Sequence, residues 1–151
     1  MRSALIVRHW IICLTGNLEI PVTQTEAWLK CIGAITLFVK ELDATKRFYR
    51  TTFGLPVVFE NENSAVFKMG GTLINLLKIG SANELIEPAQ VARRDAGSRH
   101  VFTIEVDDVD AMCTELAARG VTLLNGPLDR PWGIRTASFQ DPAGNIWEMG
   151  R

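Results

Sequence analysis

The most constraining stretch of this chain is Asp141-Pro142-Ala143-Gly144-Asn145. Proline pre-sets φ, glycine admits positive φ, and Asp and Asn side chains bond their own backbone, so such a run makes a tight turn. Thr136 to Gln140 before it and Ile146 to Met149 after it suit strands, which predicts a β-hairpin. A hairpin fixes register. Gln140 opposite Ile146 sets Phe139 opposite Trp147 and Ser138 opposite Glu148. The bulky apolar pair then occupies one face, and Glu148 projects from the other.

Upstream, the same kind of unit is written twice. Ile35, Leu37 and Val39 alternate with Ala34, Thr36 and Phe38, which is strand periodicity. Asp43 is a good N-cap for a helix over Ala44 to Phe53, and Gly54 stops it. Strand-like runs follow at Val57 to Glu60, Ala65 to Met69 and Thr72 to Ile79. After a polar connector, Ser81 to Gly97, the order returns. His100 to Val106 reads as a strand, and Asp107 or Asp108 caps a helix with the apolar stripe Val109, Met112, Cys113 and Leu116. Gly120 ends it, Val121 to Leu124 is the next strand, and the hairpin supplies the last two. Placing Val39 on Val106 puts Asp43 on Asp110 and Gly54 within one residue of Gly120. The chain therefore reads as an α+β fold of two tandem βαβββ modules, 32–80 and 98–150, in a single domain over 32–151. Each helix covers one face of its strands, leaving the free faces of two curved mixed sheets to line a cavity.

Composition excludes several classes. With 151 residues and a formal charge of −1, and no run of Lys or Arg, nothing here is shaped for nucleic acid. The three cysteines, Cys13, Cys31 and Cys113, form neither a disulfide framework nor a zinc knuckle, which fits a reducing cytoplasm. Residues 1–31 form an N-terminal extension. Its apolar run, Ala4 to Leu14, is interrupted by Arg8 and His9 and is too short to span a bilayer. Arg2 before an apolar run has the outline of a signal peptide, but the small-residue cleavage site is poor. We expect an added strand or short helix packed on the domain or on a partner chain, then a break at Pro21 and Thr23 and a helical turn or two over Thr25 to Lys30.

Three motifs, ITLFVKELDATKRFYRTTFGLPV, FTIEVDDVDAMCTELAARGV and DPAGNIWE, carry a resemblance to the vicinal oxygen chelate superfamily of glyoxalases, bleomycin-resistance proteins and dioxygenases. It spans about Ile32 to Gly150. The PWGIRTASFQDPAGN segment is most similar to the bleomycin-resistance and glyoxalase-like branch. The resemblance implies paired modules, a homodimer and, in the enzymes, a divalent metal held by His, Gln or Glu from four strands. Carried over position by position, the first ligand falls on Ala34, the second on Asn75, the third on Val101 and the fourth on Glu148. Alanine and valine donate nothing to a metal, and an Asn oxygen is a weak ligand for first-row ions. His100 lies one residue off register, which in a strand is the opposite face. No metal and no other cofactor are expected.

What remains is a cavity lined by Ala34, Thr36, Phe38, Asn75, Leu77, Val101, Thr103, Ser138 and Glu148, suited to a small organic ligand. Trp132 and Arg135 could clamp a planar or anionic group. Trp132 could equally anchor its own loop, Arg135 could be ion-paired at the surface, and Asn75 could satisfy itself across strands. Three functions stay open. They are metal-independent binding of a small molecule, a lyase or isomerase using Glu148 as general acid/base or a degenerate metal site, and a structural or regulatory dimer. No Ser/His/Asp or Cys/His nucleophile set is present, and no membrane or nucleic-acid partner is expected.

Overall fold

The computed structural model describes residues 31–151. The expectations for residues 1–30 lie outside the described residues. The first module runs β1 (Ala34–Val39), α1 (Leu42–Thr52), β2 (Val57–Glu60), β3 (Ser64–Met69) and β4 (Thr72–Lys78). The connector holds a short helix, α2 (Asn83–Ile86), between two 3-10 turns. The second module runs β5 (Phe102–Glu105), α3 (Val109–Ala118), β6 (Leu123–Asp129), β7 (Arg135–Gln140) and β8 (Ile146–Gly150). Each module forms a four-stranded mixed sheet, ordered β1-β4-β3-β2 and β5-β8-β7-β6, with the first strand parallel to the last.

The hairpin has the expected register, Gln140↔Ile146, Phe139↔Trp147 and Ser138↔Glu148. Two local expectations are corrected. The α1 N-cap is Glu41, with no side-chain bond, and Asp43 lies within the first turn, where its charge still meets the positive helix end. The strand expected at Val121 to Leu124 instead continues to Asp129, through Gly126-Pro127. Proline is tolerated because β6 is an edge strand with irregular register. Gly126 has φ 90°, and a Cβ there would stand 2.6 Å from Ala137 Cα. The α3 cap is Asp108, whose side chain accepts from the Ala111 N–H at 3.0 Å.

Strand alternation sends Ile35, Leu37, Ile74, Leu76, Ala65 and Phe67 of the first sheet, and Ala137, Phe139, Trp147 and Met149 of the second, into one core. Tyr49 of α1 is fully buried between the two sheets, its ring 5.4 Å from Phe67 and 6.1 Å from Trp147. Trp147 thus packs on the helix of the other module, touching Phe53 as well. Burying rings of this size contributes on the order of 2–3 kcal/mol each. Because the helix-bearing faces converge on α1, the free faces of one chain look away from each other.

The turn that opened the sequence is itself a core element. Asp141 is buried and accepts from the Tyr49 hydroxyl, the Ala143 and Asn145 backbone N–H groups and the Asn145 side-chain amide, all at 2.9 Å. No helix among the described residues is long and apolar enough to cross a membrane.

Candidate functional site

The free faces follow from strand registers. Across the second sheet, Thr103 of β5, Glu148 of β8, Ser138 of β7 and Asn125 of β6 lie side by side in one row. Every member is polar. The neighbouring row, Phe102, Trp147, Phe139 and Leu123, is apolar and faces the core. In the first sheet the equivalent row is Thr36, Asn75, Val66 and Phe59, polar at one end only. Phe38 and Leu77, in register with each other, flank that row on the same face.

Glu148 is half-buried, and its Oε2 accepts a 3.1 Å hydrogen bond from the Thr103 hydroxyl. Among the described residues no Lys, Arg or His forms a salt bridge with it. Asn75 donates a long bond, 3.4 Å, to the Thr36 hydroxyl, and its Oδ1 is buried without a partner among those residues. At the far end of the polar row stands Arg130. Its Nε donates to Thr136 Oγ1 at 2.7 Å and one terminal nitrogen to Asn125 Oδ1 at 2.8 Å. Arg130 is half-buried, and no carboxylate among the described residues neutralises it.

The expected residues thus divide. Phe38, Asn75 and Leu77 share the first free face, and Thr103, Ser138 and Glu148 the second. Val101 and Ala34 are exposed at the strand starts. Arg135 does not join them. It sits two residues before Ala137 on the core-facing side, where its guanidinium donates to both oxygens of Asp110 on α3, at 2.6 and 2.9 Å, and to Asp129. Those bonds hold the Asp110 carboxyl below its usual range and push the guanidinium up. Strand alternation alone groups Arg135 with Ala137 and Phe139 rather than with Ser138. Trp132 is half-buried, its indole N–H enclosed with no acceptor among the described residues. His100 is exposed and its ring lies 4.7 Å from that of Phe102. Arg135 thus takes the ion-paired alternative, and the guanidinium on the free face is that of Arg130, in the loop before β7, where no strand pattern points to it.

A divalent metal does not fit this donor set. Ala34 and Val101 carry no donor, and the two remaining positions, Asn75 and Glu148, belong to different sheets. Among the described residues no group of three or more His, Cys, Asp or Glu gathers. On the helix side a cleft of about 410 Å³ runs between the modules. There Arg119 donates to the carbonyls of Thr51, at 2.9 Å, and Thr52, at 2.7 Å, closing the end of α1.

Residues 31–149 match the family model described as Glyoxalase/Bleomycin resistance protein/Dioxygenase superfamily. YraH of Bacillus subtilis is 34% identical over 119 residues, covering 76% of this chain and 93% of that protein. Virulence protein STM3117 of Salmonella typhimurium is 24% identical over 123 residues, covering 80% and 83%. Among solved structures, lactoylglutathione lyase from Agrobacterium tumefaciens superposes with a TM-score of 0.65 at 27% identity, over 81% of this chain and 93% of that one. A glyoxalase/bleomycin resistance protein/dioxygenase from Nocardioides reaches a TM-score of 0.73 at 21% identity, over 96% and 91%.

Proposed function

The chain belongs to the Glyoxalase/Bleomycin resistance protein/Dioxygenase superfamily, and we propose that it binds a small organic molecule, without a metal, over the free sheet faces of a homodimer in the cytoplasm. One observation carries the reading. Glu148 stands on a free face with a hydroxyl donor beside it and no counter-charge among the described residues, while the family's other metal positions hold Ala34, Val101 and an amide. A half-buried carboxylate left unpaired is costly unless something charged or hydrogen-bonding meets it. Homodimer formation is supported by the exposed apolar residues on the same faces, Phe59, Leu73 and Val101, which a second copy would cover. Ligand binding extends the resistance-protein side of the family name.

A second reading, a lyase or isomerase, draws on the same carboxylate acting as general acid/base. The half-buried position of Glu148, with one donor held at 3.1 Å, favours it. Native mass spectrometry and elemental analysis of the purified protein test the proposal. The expected result is a dimer, with an organic mass released on denaturation and no stoichiometric metal. One Zn, Ni, Mn or Fe per chain overturns metal independence, and a dimer that never takes up any small molecule leaves a structural or regulatory role.

A further inference from the structure

The second free face carries two opposite charges that do not meet. Glu148 lies within one polar row and Arg130 at its end, yet among the described residues the carboxylate is held only by Thr103, and the guanidinium only by the neutral Asn125 and Thr136. That both groups lie on this face is fixed twice over. Thr136 and Glu148 sit on the same side by strand register, and a Cβ built on Gly150, directly opposite Thr136, would meet both Thr136 Cγ2 and Thr103 Cγ2, at 3.7 and 3.8 Å. Arg135, the other arginine nearby, is spent on Asp110 and Asp129 behind the sheet.

Two charges of opposite sign on one surface would form a salt bridge if they could reach each other. Here Glu148 is on β8, and the Arg130 guanidinium is fastened across β7 and β6, by Thr136 and Asn125 respectively. Its Asn125-bonded nitrogen lies over β6, two strand spacings or roughly 10 Å from β8. Subtracting a charge-assisted hydrogen bond of about 2.8 Å at each end leaves a ligand span of roughly 5 Å. The Ser138 hydroxyl lies in the gap between them.

We propose that this face recognises a dipolar small molecule, with a cationic group on Glu148 and a carboxylate or similar anion on Arg130, bridging β7. The inference rests on the proposed binding function and names its ligand class. Glu148 sets the cationic end because its one bond among the described residues comes from a neutral hydroxyl, whereas the row's hydroxyls and amides adapt to either partner. Arg130 sets the anionic end. Its fork is pre-organised by two bonds, and one terminal nitrogen has no partner among the described residues. A molecule whose charges sit on adjacent atoms is too short to touch both.

The test is a titration of the ¹⁵N-labelled full chain followed by amide shifts, using four probes. These are 4-aminobutanoate, which has both charges at the right span, glycine, which has both too close, and butylamine and butanoate, which have one each. The expected result is that 4-aminobutanoate moves Thr103, Ser138, Glu148 and Asn125 together and binds at least tenfold tighter than the other three. Glu148→Gln should erase its advantage over butanoate, and Arg130→Gln its advantage over butylamine. Arg130→Lys, which keeps the charge, should restore part of the latter and guards against a merely structural loss. If all four probes shift these residues with equal affinity, the dipolar class is wrong and the site stands. If none shifts them, the site fails too.

Discussion

The Tyr49 hydroxyl donates a 2.9 Å hydrogen bond to the buried Asp141 carboxylate, 92 positions further along the chain, and so fastens the helix of the first module to the final hairpin of the second. Burial, and then the charge of Asp141, push the Tyr49 phenol well above its ordinary value of 10.0.

A phenol raised in the folded state stabilises fully below its unfolded pKa and loses that contribution as pH climbs towards the folded value. The fall should begin near pH 10 and steepen to about 1.4 kcal/mol per pH unit. Urea melts between pH 8 and 11 measure it. Tyr49→Phe should cost about 1–2 kcal/mol at neutral pH, the range for a buried hydrogen bond to a charged group, and remove this alkaline component. An unchanged alkaline slope in the variant would assign the loss to other groups.

Gly126 and Gly133 both have positive φ, 90° and 92°, but only Gly126 is crowded. Its added Cβ would stand 2.6 Å from both Ala137 Cα and the Thr136 carbonyl oxygen, and nothing lies within 4 Å of the one at Gly133. Gly133→Ala should cost about 1–2 kcal/mol from backbone strain alone. Gly126→Ala adds a backbone clash and should lose more than about 3 kcal/mol or fail to fold. Denaturant midpoints of the two variants decide it.

Arg135 holds Asp110 in its charged form, and a carboxyl depressed in the folded state stabilises above its unfolded pKa and loses that as pH falls through the folded value. Arg135→Gln should therefore flatten the acid limb of the stability profile. It should leave probe binding at Glu148 unaltered, because the guanidinium is on the other side of the sheet. Weaker probe binding in this variant would return Arg135 to the site.

Leu73 and Phe59 are exposed on the first free face, where the second copy is proposed to sit. Leu73→Asp should shift sedimentation from dimer to monomer with secondary structure retained. A dimer undisturbed by Leu73→Asp and Phe59→Asp together would place the interface elsewhere.

What the sequence disclosed was whatever depends on period and turn chemistry. The register at Phe139 and Trp147, the doubled module and the free-face position of Glu148 all follow from alternation and a stop signal. Asp141 was legible as a turn residue but not as a buried anchor, because its partner Tyr49 lies in another module and no local pattern connects them. β6 runs on to Asp129 because an edge strand with irregular register accommodates Gly126-Pro127, which alternation alone does not reveal. Parity counted from Ala137 decides between the two readings of Arg135 in favour of the ion pair, whereas Arg130 has no such signal because loop side chains have no periodicity to read.

Arg119 closes the carbonyl end of a helix that is not its own, and Tyr49 reaches the opposite way into the second module. The halves are thus joined by reciprocal side-chain clasps as well as by the exposed connector. A protease nick in that connector, around Pro88 to Arg93, should leave a two-fragment complex that keeps its structure and comes apart only under denaturant. Leu42 and Val109 are matching core residues of the two modules, but either half alone would carry an unclasped helix end or an unanswered aspartate.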